Sequence, residues 1–312
     1  MPRYSIIIPT YNRAGTVSNT LESCFSQTFE DFEIVVIDDG SKDNTVDVLR
    51  SIDDPRLKVV TQENAGPAAA RNTGMDNASG DFIAFLDSDD VWYPDFLATA
   101  EQMLSLNAEQ ILYGQIIVDR GVGRYWVKPD RVIGADESIY DYLYVDGMFI
   151  QTSTIVMPAS LKNTVRWNEN VTFGDNDQFA IDLWHTGTPF ALLPKPLTLY
   201  ADVMSPDALS QLPIFGGDTA AHTNFFDWMA TQKERMSEQA WAGYLARFES
   251  VGMASQSPFK TLQVLWQANR AGAMSAKGAL RQAVQCFFPA FYRRLVDQYV
   301  RLRGLPLSDL QR

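Results

Sequence analysis

The sequence predicts an α/β fold: a mostly parallel sheet flanked by helices, with an added C-terminal helical region. Three observations lead there. Short, near-continuously apolar runs alternate with helical periodicity through the first hundred residues, the pattern of strands covered on both faces. Each of these runs ends in a polar cluster. Beyond about residue 215 helical periodicity replaces the alternation.

Taken in order, Ser5–Ile8 reads as a buried strand. Thr16–Gln27 reads as a helix with Val17, Leu21, Cys24 and Phe25 on one face. Phe32–Ile37 is a second apolar strand, and Asp43–Ser51 a short helix capped by Ser41 or Asp43. Leu57–Thr61 is a third strand, followed by an Ala-rich helix over Pro67–Ala78. Phe82–Leu86 is the fourth strand, and Pro94–Leu106 a helix with proline near its first turn. Ile111–Val118, Arg124–Val127 and Thr154–Met157 read as strands of a mixed or antiparallel extension. A helix is expected over Gln178–Trp184, then short strands at Pro189–Leu193 and Leu197–Ala201. Pro213 and Gly216-Gly217 punctuate a boundary near residue 215. The expected organisation is therefore one domain over 1–215, with halves 1–110 and 111–215, and a helical region over 216–312.

Composition narrows the function. With 312 residues and 46% hydrophobic content, the chain can bury a sizeable core. Two cysteines and two histidines suit a reducing compartment and leave little for a zinc site. The net charge of −12 argues against a broad nucleic-acid surface. Charge is uneven, however: Lys277–Arg312 holds seven basic and two acidic residues. No run of ~18 apolar residues occurs, so no spanning helix is expected. Met1-Pro2-Arg3 leads straight into a strand, so no signal peptide is expected. The expected location is cytoplasmic, either free or peripheral on the inner face of the plasma membrane.

Ligands of open parallel sheets bind outside the carboxyl ends of the strands. The polar clusters fall there: Pro9-Thr10-Tyr11-Asn12-Arg13, Asp38-Asp39-Gly40-Ser41, Asn64-Ala65-Gly66-Pro67 leading to Arg71, and Asp87-Ser88-Asp89-Asp90. Two carboxylates flanking Ser88 can address one hard cation, Mg²⁺ or Mn²⁺, leaving positions for phosphate. The same acids could instead cap the following helix. Asp38 and Asp39 offer acceptors for a base or ribose, or simply form a turn. Arg71 could pair with phosphate, hold a carboxylate of the Asp87 turn, or make a surface salt bridge. No Gly-x-Gly-x-x-Gly and no Walker-A motif occurs.

In this order Ser5–Arg13, Asp38–Ser41, Asn64–Gly74 and Phe82–Asp95 resemble the nucleotide-sugar-binding half of family-2 glycosyltransferases of the GT-A fold. The resemblance covers roughly the first hundred residues. It implies inverting transfer of a hexose from a nucleotide sugar, most often UDP-linked. The acceptor would be a hydroxyl of a bacterial-type surface glycan or lipid-linked glycan. Thr10, Tyr11 and Asp39 would surround the base and ribose, with Pro9, Arg13 and Ser88 in the same pocket. Arg71 would lie near the base or diphosphate. Asp89 would ligate Mn²⁺ or Mg²⁺, with Asp87 on the ribose or in the metal's shell. The family also places a carboxylate base before a helix, often as Glu-Asp. The corresponding stretch here resembles Gly174-Asp175-Asn176-Asp177-Gln178-Phe179. Asn176 departs from the pattern, so the base is Asp175, favoured by its place after Gly174, or Asp177. Two other readings stand beside this one. One is a binding or scaffold protein that keeps the pocket without transfer. The other is a sugar-nucleotide nucleotidyltransferase, whose triphosphate loop would need more than the single Arg13 of Thr10–Gly15.

The C-terminal third carries Trp228, Met229, Trp241, Tyr244, Leu245 and Phe248, read as helix-packing residues. Phe287–Val296 and Tyr299–Arg303 then mix aromatic and basic residues. Such helices suit an anionic membrane surface. They suit equally a helical cap or an oligomer contact.

Overall fold

A computed structural model describes residues 1–202 and 219–310. The chain forms two compact units. The first comprises Met1–Val118, Val127–Pro129 and Ile150–Ala201; the second comprises Asp119–Trp126, Asp130–Phe149 and Asp202–Arg312. The boundary expected near residue 215 lies outside the described residues.

The first unit is built on β1 (Tyr4–Thr10), β2 (Phe32–Asp38), β3 (Leu57–Thr61) and β4 (Phe82–Phe85). β1 pairs in parallel with both β2 and β4, and β2 with β3. Every residue of β1 is buried, which is why its Ile6-Ile7-Ile8 centre is apolar without alternation. The sheet continues through β6 (Ile111–Tyr113), β9 (Val156–Pro158) and β10 (Phe190–Leu192) in the order β10-β6-β9-β4-β1-β2-β3. β9 is antiparallel to both β4 and β6, the mixed extension expected from the sequence. The chain steps outward from β1 to β3, then returns to place β4 on the other side of β1. That reversal puts a crevice at the carboxyl ends of β1 and β4.

Helices α1 (Val17–Phe25), α2 (Thr45–Arg50), α3 (Pro67–Asn77), α4 (Phe96–Leu104) and α5 (Asp175–Trp184) belong to this unit. α3 lies close on β1: a Cβ at Gly74 would sit 2.3 Å from Ile7 Cγ2, so only glycine fits there. α5 begins at Asp175 rather than at Gln178. Gly174 takes the left-handed conformation (φ 77°), and acids in the first turn favour the helix dipole.

The expected single strand Ile111–Val118 is two strands. β6 lies in the large sheet, whereas β7 (Ile116–Asp119) lies in a second sheet with β5 (Val91–Trp92), β8 (Tyr125–Lys128) and β11 (Thr198–Ala201). The break falls at Gly114-Gln115. A Cβ at Gly114 would press on Leu193 and Thr154, and Gln115 turns to donate to the Pro129 carbonyl.

The second unit is mainly helical: α6 (Thr219–Gln232), α7 (Glu238–Tyr244), α8 (Ser250–Met253), α9 (Pro258–Arg270), α10 (Ala276–Phe287), α11 (Pro289–Arg303) and α12 (Leu307–Leu310). Its aromatic core joins Tyr144, Phe225, Tyr244 and Phe248 in edge-on contacts. Met229 and Tyr244 are fully buried, as expected of packing residues. A Cβ at Gly243 would overlap the Tyr144 carbonyl oxygen at 2.0 Å, so α7 approaches that backbone closely. Arg247 then donates to the carbonyls of Tyr144 and Val145 at 3.0 and 2.7 Å. No described helix is long and apolar enough to cross a membrane.

Candidate functional site

The site is assembled at the carboxyl rim of the large sheet. The loop after β1 is stitched to the loop after β2. Asn12, itself left-handed (φ 52°), donates its N–H to Ser41 Oγ at 2.9 Å and accepts from Lys42 N at 2.8 Å. Arg13 N donates to Thr45 Oγ1 at 2.8 Å, and Ala14 N to Asp43 Oδ2 at 3.2 Å. Of the two expected caps of α2, Asp43 accepts from Thr45 N, while Ser41 serves the β1 loop instead. These ties leave Tyr11 at the rim, 39% exposed. Thr10 and Asp38 are register partners at the strand ends, and their buried Oγ1 and Oδ1 atoms have no hydrogen-bond partner among the described residues.

Asp39 is committed to the next loop. Its carboxylate accepts from Gln62 Nε2, Ala65 N and Gly66 N at 2.8–2.9 Å. It thereby anchors the entrance to α3, where Gly66 (φ 92°) precedes Pro67 in the first turn. The carboxylate expected beside a nucleotide is thus held by the loop over residues 62–66.

Arg71, buried on α3, is the centre of the arrangement. Its Nη2 donates to Asp87 Oδ1 at 2.7 Å, and its Nη1 to Asp175 Oδ2 at 2.9 Å. The guanidinium also lies 4.4 Å above the Trp167 ring. Trp167 stacks on Phe179 at 4.0 Å, and Phe85 packs edge-on against both. Asn72 holds the Trp167 backbone from both sides, accepting from its N–H and donating to its carbonyl. Burial works to lower the Arg71 pKa, but the charges of Asp87 and Asp175 prevail and raise it. Burial pushes the Asp175 carboxyl above the ordinary range; Arg71 pulls it down, and Asp87 adds to the rise.

The Asp87-Ser88-Asp89-Asp90 turn concentrates negative charge. Asp89 lies 3.4 Å from Arg13 Nη2. Burial and the charge of Asp87 raise the Asp89 carboxyl, with Arg13 opposing. Asp90 is raised further, by burial and by both neighbouring acids. It is 1% exposed and accepts a hydrogen bond from Ser153 Oγ, whose oxygen in turn accepts from Asp87 N. Among the described residues no group of three or more metal-ligating side chains occurs. Asp87 and Asp89 are therefore an incomplete, all-oxygen donor pair in a crowded acidic turn. Such a pair fits a hard divalent cation that takes its remaining ligands from water and phosphate.

Of the predicted residues, the structure brings Arg71, Asp87 and Asp175 into direct contact and Arg13 to Asp89. Asp177 is buried two residues further into α5. Trp167 and Ser153 were not foreseen beside these residues and carry no sequence signal. Asn72 and Asp90 lie inside the motif stretches Asn64–Gly74 and Phe82–Asp95, though no role was assigned to them.

Fold and site define a class: an α/β protein with an arginine-bridged cluster of acids at the switch point of its sheet. The profile of Glycosyl transferase family 2 matches residues 5–177, more than half of the chain, and the chain belongs to that family of glycosyltransferases. It is 31% identical over 210 residues to the amylovoran biosynthesis glycosyltransferase AmsB of Erwinia amylovora, covering 63% of this chain and 69% of that one. It is 40% identical over 131 residues to WfgD of Escherichia coli, a UDP-Glc:alpha-D-GlcNAc-diphosphoundecaprenol beta-1,3-glucosyltransferase. That match covers 41% of this chain and about half (52%) of WfgD. The fold is similar to TarS 1–349 of S. aureus in complex with UDP-GlcNAc, with a TM-score of 0.66 at 18% identity over 96% of this chain and 89% of TarS 1–349. The expected GT-A fold is thereby found.

Proposed function

We propose that this glycosyltransferase moves a hexose, with inversion at C1, from a UDP-linked donor to a hydroxyl of a lipid-linked glycan. One observation carries the reading: a single buried guanidinium joins Asp87 of the acid turn to Asp175 at the start of α5. In this reading the bridge holds a general base, Asp175, beside the carboxylates suited to the donor's diphosphate. The names of the relatives support the substrates, since WfgD uses UDP-Glc and a diphosphoundecaprenol-linked acceptor.

In this reading the acceptor hydroxyl loses its proton to Asp175 as its oxygen attacks C1, a role contributing roughly 10²–10⁴ in rate. Arg71 favours the ionised form of Asp175 and fixes its orientation against the stacked Trp167 and Phe179. Tyr11 presents its ring to the base, between Pro9-Thr10 and Arg13. The unpartnered oxygens of Thr10 and Asp38 suit the base's N–H groups. Asp39 shapes this end of the pocket by fixing residues 64–66. Ser88 holds the spacing of the acid turn. Asp87 and Asp89 would hold Mn²⁺ or Mg²⁺, which when bound offsets charge on the departing diphosphate.

Single-turnover transfer by Asp175→Asn and Asp177→Asn tests the base. Asp175→Asn should slow transfer by at least about a hundredfold while donor-induced thermal stabilisation persists. Asp177→Asn should slow it less than about tenfold. If neither reaches about tenfold, the base assignment is wrong.

A further inference from the structure

We propose that the outer faces of α9 and α11 form a docking surface for an anionic phospholipid membrane. The sequence left three roles open for the aromatic, basic stretches Phe287–Val296 and Tyr299–Arg303, and the burial pattern separates them. On α11 and its N-cap, Phe288, Phe291, Leu295, Tyr299 and Leu302 are 45–81% exposed. At about 100° per residue they fall within an arc of about 80°. The one fully buried residue of the helix, Val300, lies on the opposite side. α9 repeats the arrangement. Phe259, Leu262 and Trp266 are 48–87% exposed, while Thr261, Leu265 and Ala268 form its buried face. These stripes are therefore not a packed cap. Among the described residues, ten of the fourteen exposed large hydrophobics lie between Phe259 and Leu305.

Charge chooses the occupant. Between Pro258 and Arg303 there are eight basic residues and one acidic residue, Asp297. Asp297 is engaged by Arg120 at 2.7 Å. On α11 the exposed Arg294 and Arg301 flank the apolar stripe on one side and Arg303 on the other. Arg270 lies 5.3 Å from the Trp266 ring on the α9 stripe. Apolar rings edged by arginines match the boundary between anionic headgroups and acyl chains. A second copy of the chain would bring the same positive stripe against itself, which like-charge repulsion disfavours. The inference is compatible with a lipid-linked acceptor but does not depend on it.

Flotation of the full chain with vesicles of 30% phosphatidylglycerol in phosphatidylcholine, against phosphatidylcholine alone, tests it. Binding should be at least tenfold stronger on the anionic vesicles and weaken in high salt. Phe291→Ser/Leu302→Ser and Arg294→Glu/Arg301→Glu should each lower it at least tenfold. Brominated lipid should quench tryptophan emission in the parent chain, and Trp266→Phe should lose much of that quenching while still floating. Equal flotation of all variants, or none by the parent chain, overturns the proposal. So does sedimentation showing self-association that the Phe291→Ser/Leu302→Ser pair abolishes without any vesicle binding. Donor hydrolysis measured in the same variants keeps the questions apart. A parent chain that turns over donor but does not float sinks only the docking face, whereas a parent chain that floats but shows no turnover sinks the reading of the site.

Discussion

Replacing Arg71 by Met keeps the bulk and removes the charge that two carboxylates share. The side chains involved are little exposed: 6% for Arg71, 23% for Asp87 and 19% for Asp175. Removing one partner of such a network leaves acids buried and uncompensated, a loss of about 3–5 kcal/mol. For a unit of this size that lowers Tm by on the order of 10 °C. The loss should depend on pH. Arg71 lowers the Asp175 carboxyl against burial, so without it that carboxyl rises further above its unfolded value. A carboxyl raised in the folded state contributes stability that is present below the unfolded value, near pH 4, and lost as pH rises through the folded one. The variant's deficit should therefore be smaller at pH 5 than at pH 8. Urea denaturation at the two values measures it. Combining Arg71→Met with Asp175→Asn should recover about 1–3 kcal/mol relative to additivity. A deficit under about 1 kcal/mol at pH 8, or strict additivity, would refute the bridge.

Three further outcomes are expected. Gly74→Ala should cost about 1–3 kcal/mol in urea melts, because its Cβ meets Ile7 Cγ2; in an Ile7→Ala background the added cost should shrink. Asp39→Ala should cost about 1–3 kcal/mol and speed amide exchange at Ala65 and Gly66, whose N–H groups it holds. Asp89→Asn should abolish the extra thermal stabilisation that Mn²⁺ adds to UDP binding; an undiminished Mn²⁺ effect would remove Asp89 from the metal's ligands.

The parallel strands were legible because burial on both faces leaves an unbroken apolar signature, as in Ile6-Ile7-Ile8 and Val35-Val36-Ile37. The change of sheet between Ile111 and Val118 was missed because the apolar runs on either side of Gly114-Gln115 do not report which neighbours each pairs with. The early start of α5 was missed because Asp-Asn-Asp reads as a loop until Gly174 adopts the left-handed turn that opens the helix. The carboxylates and Arg71 were visible as motif residues. The aromatic floor was not, because Phe85, Trp167 and Phe179 meet only through tertiary packing.

The Arg71 bridge also bears on how such enzymes could be recombined. Residues 150–201 form one stretch of the first unit and supply both Trp167 and Asp175. A chimera that grafts this stretch from a relative inherits a working junction only if the donor sequence brings its own carboxylate and indole. A graft that brought neither would strand a cation in the interior and lose stability before any new specificity could be assayed.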